Sequence, residues 1–182
     1  MTATYRLDRA TKTLSDAAGR CFDPARRAWT TAVSPARGAA LDTVAAATWL
    51  QRESGHPLRV PIGVIGPRDA SEPQVGAAAA VGQGLAQIGF VVICGGRQGV
   101  MEAVCKGAAE VGGTTIGLLP DDEPSLANPY VSVVIATGIG EARNVLIARS
   151  ALCLVAIGNS FGTLSEVALG RQFKLKPAQR LQ

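Results

Sequence analysis

The sequence predicts an α/β protein: a doubly wound, mainly parallel sheet of Rossmann-like type with helices on both faces, preceded by a small N-terminal extension. Three observations predict it. From residue 58 onward, short Val/Ile-rich runs alternate with longer segments of helical character, the spacing that crossovers between parallel strands need. Those runs are apolar at successive positions, as strands covered on both faces must be. The third is the stretch Cys94-Gly95-Gly96-Arg97-Gln98-Gly99-Val100-Met101, which joins one run to one helical segment as strand, glycine turn and helix.

Residues 1–57 are read as the extension. Thr11 to Phe22 suggests a hairpin around Ser15-Asp16-Ala17-Ala18-Gly19, followed by the turn-like Asp23-Pro24. Ala39 to Arg52 reads as a short Ala-rich helix, and Ser54-Gly55-His56-Pro57 marks the boundary to the main domain, residues 58–182. His56 is the only histidine, and Gly55 and Pro57 beside it favour an exposed turn over a catalytic role. In the main domain, strands are expected over 60–66, 90–94, 114–119, 131–136 and 152–157. Helices are expected over 71–88, 101–111, 139–150 and 162–173. Ser71 is a candidate N-cap with Pro73 in the first turn, and Gly112-Gly113 ends the third helix of the chain.

The glycine turn carries the chemistry most directly. A strand–turn–helix junction aims backbone N–H groups and the positive end of a helix dipole at an anion. Gly95, Gly96 and Gly99 allow close approach, and Val100 and Met101 open the helix, so these five residues are candidate binding residues. The turn lacks the Gly-Lys-Ser/Thr of a Walker loop and the spacing G-x-G-x-x-G.

Charge narrows the partners. Residues 1–59 hold nine Lys/Arg against five Asp/Glu, whereas residues 60–182 hold nine of each. A neutral main domain argues against a nucleic-acid groove, which clustered cations would line; the basic surplus is read as a solvated, partly ordered arm. No apolar run approaches the roughly 20 residues of a membrane span, and the N-terminus shows no apolar signal region. Cys21, Cys94, Cys105 and Cys153 are scattered and read as reduced thiols, so a cytoplasmic location is expected. Asp121-Asp122-Glu123 is acidic enough to consider for a metal but reads as a solvated loop between prolines; no metal site is assigned. Lys106 lies within a helix without other signs of a pyridoxal site.

Three stretches in order carry a resemblance: Gly95-Gly96-Arg97-Gln98-Gly99-Val100-Met101, Gly140-Glu141-Ala142-Arg143-Asn144, and Gly158-Asn159-Ser160-Phe161-Gly162-Thr163-Leu164-Ser165-Glu166. They resemble the motifs of the LOG-like (Lonely guy) superfamily, long mislabelled lysine decarboxylases, over about residues 58–177. Through Ala127-Asn128-Pro129-Tyr130 and Glu141–Asn144 the chain looks most like the subgroup of molybdenum-cofactor carriers. The resemblance implies a carrier or sensor for a nucleotide, phosphate or molybdopterin-type ligand, with no other cofactor required. It equally leaves open a nucleoside 5′-monophosphate phosphoribohydrolase; a single-stranded-DNA binder is a third reading, because a DNA-processing family shares the fold.

The resemblance also implies roles. Glu166 matches the family's catalytic glutamate and Arg143 its catalytic arginine, while Gly158, Gly162 and Thr163 belong to a second anion-binding helix start. The residues themselves permit plainer roles. Thr163-Leu164-Ser165-Glu166 is also a capping box, and Arg143 could simply balance Glu141 on a helix surface. Asn159 and Ser160 replace glycines common in the family, and Arg97 stands where a third glycine is frequent, able to reach a phosphate or block one. Family members continue after Lys176-Pro177 into another strand and helix. Here the chain reads Ala178-Gln179-Arg180-Leu181-Gln182, which would leave a sheet edge for a partner subunit or the extension to cover. A homodimer is the expected assembly.

Overall fold

The computed structural model describes residues 5–33 and 38–173, which fall into two compact units, Met1–Leu58 and Arg59–Gln182. The C-terminal Lys176–Gln182, on which the expectation of an uncovered edge rested, lie outside the described residues.

The first unit holds β1 (Tyr5–Asp8), β2 (Thr13–Asp16), β3 (Arg20–Asp23), β4 (Ala28–Val33), β5 (Ala39–Leu41) and α1 (Thr43–Arg52). The strands form one antiparallel sheet in the order β4-β3-β2-β1-β5. This corrects the reading of a solvated arm, because the unit has its own apolar cluster of Tyr5, Leu7, Leu14, Ala46 and Trp49. It also corrects the start of the helix: residues 39–41 pair with β1, and Asp42 caps α1, its Oδ1 accepting the Ala45 N–H at 2.7 Å.

The second unit holds β6 (Ile62–Ile65), α2 (Glu72–Ile88), β7 (Val92–Cys94), α3 (Val100–Ala109), β8 (Thr115–Leu119), β9 (Val133–Ala136), α4 (Asn144–Ser150), β10 (Leu154–Ala156) and α5 (Phe161–Gln172). Its five strands are all parallel, in the order β10-β6-β7-β8-β9. Alternate residues of β6 and β7 enter different cores. Val64, Val92 and Cys94 pack with Ala78, Val100 and Val104 from α2 and α3. Their neighbours Ile65, Ile93 and Leu118 pack with Ile147 beneath α4 and Val167 of α5. Strands apolar at every position are therefore filling two cores, one on each face. Between α2 and α3 the backbones nearly touch: a side chain at Gly82 would meet the Val104 carbonyl, and one at Gly107 the Ala79 carbonyl.

Helix ends follow local chemistry. Ser71 caps α2 and its N–H donates to Gln74 Oε1 at 2.9 Å. The expected helix over 139–150 begins instead as a short 3-10 turn, Gly140–Arg143, before α4; the φ of +61° at Gly140 bars a right-handed helix from extending back through it to Ile139. Cys94 and Cys105 are buried free thiols with sulfurs 3.5 Å apart. No helix among the described residues is long and apolar enough to cross a membrane.

The chain leaves β6 towards β7, β8 and β9, then returns to place β10 on the other side of β6. The strand order thus reverses between β6 and β10. In sheets of this kind the crevice outside the carboxyl ends at such a reversal is where ligands bind.

Candidate functional site

A cavity of about 790 Å³ opens at that reversal, a volume within the range of small-molecule sites. Its walls come from Ile65 at the end of β6 and the loop after it (residues 66–69), from Gly95 and Met101, from Glu141, Arg143 and Asn144, and from Asn159, Ser160 and the start of α5 (residues 161–163) with Ser165 and Glu166. Of the residues singled out in the sequence, Gly95, Met101, Arg143, Gly162, Thr163 and Glu166 therefore line one space. Gly96, Gly99, Val100 and Gly158 are not among its lining residues.

The glycine turn shows why only its ends reach the cavity. Gly99 adopts φ +70° and ψ −129°, and a Cβ there would collide with the carbonyls of Pro67 and Arg68. Its successor Val100 donates its N–H to the Pro67 carbonyl at 3.1 Å. The middle of the turn is thus docked against the loop after β6, and one of the helix-opening N–H groups is already used. Asn128 holds the other side: its Nδ2 donates to the Gly96 and Arg97 carbonyls at 3.1 and 3.0 Å. Arg97 neither reaches the cavity nor blocks it, because its guanidinium pairs with Asp121. That contact also removes one carboxylate from the acidic loop, and no metal-binding cluster of His, Cys, Asp or Glu occurs among the described residues.

Gly95 serves a different need. A Cβ at this position would lie 2.6 Å from Nη1 and Nη2 of Arg143 and 2.6 Å from Met101 Sδ. The absent side chain lets the guanidinium lie against the turn. Arg143 is 6% exposed, its Nη1 stands 3.5 Å from Glu166 Oε1, and its Nε is buried without a hydrogen-bond partner among the described residues. A helix-surface arginine would be solvated, so the plainer role considered for Arg143 does not describe it.

The second plain role fails on geometry too. The N-cap of α5 is Ser160, whose Oγ accepts the Thr163 N–H at 3.1 Å. Thr163 is therefore three residues inside the helix, and Thr163–Glu166 is not the capping box. Ser160 has φ −160°, extended backbone open to any residue, while Gly158 takes the positive φ of +71°. The replacement of glycine by serine here supplies a cap without strain.

Glu166 is pushed up to about 7 by burial, which outweighs the attraction of Arg143; the charge of Glu141 adds to the rise. At 3.5 Å the guanidinium is beyond the length of a strong charge-assisted hydrogen bond, so it offsets only part of the desolvation. Raising one carboxyl from an ordinary 4.5 to about 7 is worth about 3 kcal/mol. A group raised on folding stabilises fully below its unfolded value, so this contribution is complete below about pH 4.5 and is lost as the pH climbs through about 7. Glu166→Gln should therefore gain stability on the wild type across that interval, read by urea unfolding at a series of pH values. Stability curves that stay parallel would show that Glu166 does not titrate there.

Asn144, Ser160, Ser165, Glu141 and Phe161 line the cavity without having been assigned a role from the sequence. Each sits within or beside a quoted motif, and adjacency to Arg143 or Glu166 was the available signal.

The family model described as the SLOG cluster4 family matches residues 59–176. A protein of Archaeoglobus fulgidus of uncharacterised function is 41% identical over 121 residues, covering 64% of this chain and 80% of that relative. Among solved structures, the molybdenum cofactor binding protein of the phototrophic bacterium Rippkaea orientalis is 40% identical with a TM-score of 0.62, covering 64% of this chain and 73% of its own. The Moco carrier protein of Chlamydomonas reinhardtii is 44% identical with a TM-score of 0.58, over 63% and 72%.

Proposed function

We propose that this chain, which belongs to the SLOG cluster4 family, holds a phosphate-bearing small molecule of molybdopterin or nucleotide type in the β6–β10 cavity, as a carrier or sensor. The observation that carries the reading is Arg143: a buried cation on the cavity wall whose Nε lacks a partner among the described residues. The start of α5 adds a second anion-seeking feature, since the first N–H groups of a helix have no partner within it. The similarity to a molybdenum cofactor binding protein and a Moco carrier supports the molybdopterin type.

Glu166 supports a second reading, a nucleoside 5′-monophosphate phosphoribohydrolase. A carboxyl near neutrality facing a cavity suits proton transfer to or from water at a glycosidic carbon. The same shift leaves it only partly ionised at pH 7, which weakens its stabilisation of an oxocarbenium-like sugar. Incubating the protein with each nucleoside monophosphate and separating free base by chromatography decides between the two. The carrier reading predicts ligand-dependent thermal stabilisation without base release; base release that Glu166→Gln abolishes would replace it with the enzyme. The neutral balance of residues 60–182 disfavours the single-stranded-DNA reading.

The protein is proposed to act in the cytoplasm as a homodimer. Val145 and Leu146 on α4 and Leu164 on α5 are 38–58% exposed, and a second copy would cover them. Light scattering should give twice the chain mass; one chain mass across a range of concentrations would contradict this.

A further inference from the structure

Two arginines and three carboxyl side chains line the cavity: Arg68 and Asp69 on the loop after β6, Glu141 and Arg143 before α4, and Glu166 on α5. With all five ionised the lining carries one net negative charge, a balance that repels a phosphate. The five are not alike. Arg68, Asp69 and Glu141 are exposed, so water screens them, whereas Arg143 and Glu166 are each 6% exposed and screened far less. Elsewhere around α5, Arg149 of α4 lies over Phe173 at the far end of the helix. The Cys94 thiol beneath the glycine turn is held well above its ordinary value by its contact with Cys105 and by burial, and stays neutral. The buried charge that an entering anion meets is therefore Glu166, whose ion-pair partner is Arg143, with Nη1 3.5 Å from Oε1. The sealed, unpartnered atoms include Arg143 Nε but neither Nη of Arg143 and neither oxygen of Glu166. The tips of both side chains are accessible, and both residues border the cavity.

Thr163 and Glu166 stand three apart on α5, a spacing that makes side chains neighbours, about 5–6 Å between their Cβ atoms. A phosphate seated at the helix start beside Gly162 and Thr163 would lie about one turn from the carboxyl and draw on the same guanidinium. Like charges so placed oppose each other's ionisation. A phosphate monoester keeps at least one negative charge near neutrality, so the carboxyl is the group that gives way. We propose that a phosphate-bearing ligand enters this cavity together with a proton, which Glu166 takes up, so that the site binds more tightly below neutral pH than above it. The step is one proton from solvent onto a carboxylate oxygen, with no other bond made or broken. This inference rests on the reading of the cavity as a site for such a ligand. Burial already holds the carboxyl of the empty site at about 7, which places the window. Well below that value Glu166 is protonated with or without ligand, and affinity is highest. As the pH climbs through 7 the empty site loses the proton and must regain it to bind, so affinity falls.

Calorimetry on the full chain with neopterin monophosphate and with GMP, in buffers of different ionisation enthalpy, counts the protons exchanged per ligand bound. Neopterin monophosphate has no glycosidic bond, so its count is free of any turnover. Each phosphate titrates near neutrality itself, and Glu166→Gln supplies the comparison in which that contribution is unchanged. At about pH 7.5 wild type should take up about one half to one proton more than the variant. Between about pH 6 and 8.5 wild-type affinity should fall about 10-fold relative to the variant, which should bind the more tightly at the upper end. Carbon-13 NMR of wild type gives a second measurement that needs no binding by the variant: the titration midpoint of the Glu166 carboxyl should rise by about one pH unit or more when either probe saturates the site. Equal proton counts in wild type and variant, or an unmoved midpoint with ligand bound, overturns the inference and leaves the cavity reading intact. If neither probe binds wild type at any pH in that range, the cavity reading falls, and the inference with it.

Discussion

Replacing Arg143 with alanine should lower affinity for a phosphate-bearing pterin or nucleotide by about 100-fold, because truncating a buried, hydrogen-bonded cation typically costs about 2–5 kcal/mol of binding. The residue is well placed for so large an effect. It lies against Gly95, where no side chain intervenes, and is almost excluded from water. The folded state should tolerate the change better than most losses of a buried charge, because Glu166, already raised to about 7, can take up a proton once its cation is gone. Calorimetric titration of the variant, with its unfolding measured in parallel, separates the two effects. Unchanged affinity in a folded variant would mean that the guanidinium serves only Glu166.

Gly99→Ala should destabilise the second unit by about 3 kcal/mol, lowering its melting temperature by roughly 6–12 °C. Two independent penalties combine. The left-handed φ of +70° strains any L-residue by about 1–3 kcal/mol, and the new Cβ would strike two backbone carbonyls that cannot swing away as a side chain could. Relief requires the turn to leave the loop after β6, breaking the Val100–Pro67 hydrogen bond. Gly112→Ala is the internal control. Its φ is +71°, but nothing lies within 4 Å of the new methyl group, so only about 1 kcal/mol should be lost. Equal melting temperatures for the two variants would show that docking of the turn contributes nothing.

The parallel sheet was legible because Val64-Ile65 and Val92-Ile93-Cys94 are apolar at consecutive positions, a pattern that two-sided burial demands and a one-sided sheet does not. Of the antiparallel sheet of the first unit, only the β2–β3 hairpin around residues 15–19 was. Its strands are three to six residues long, too short for alternation to stand out. Their real punctuation is polar: β1, β2 and β3 each end in aspartate, and Asp8, Asp16 and Asp23 each accept the N–H two residues on. Such side-chain turns are a recognisable signal once three in register are noticed.

The site divided in the same manner. Arg143 and Glu166 were reached through motif resemblance, yet nothing in a separation of 23 residues says that they meet; the packing of α4 against α5 brings them to 3.5 Å. The glycine turn was visible as a turn, whereas its docking on Pro67 and Arg68 depends on a neighbouring loop that no local pattern specifies. The hydrogen bonds from Asn144 Nδ2 to Ser165 Oγ and from that hydroxyl to the Gly162 carbonyl join α4 to α5, so they exist only at the level of tertiary structure.

The most direct test of the central claim is a crystal structure grown with saturating GMP or neopterin monophosphate. The expected result is ligand in the β6–β10 cavity, with an acceptor in hydrogen-bonding reach of the Arg143 guanidinium and the phosphate at the start of α5 beside Gly162 and Thr163. Ligand bound elsewhere on the protein, with that cavity empty and Arg143 still facing only Glu166, would contradict it.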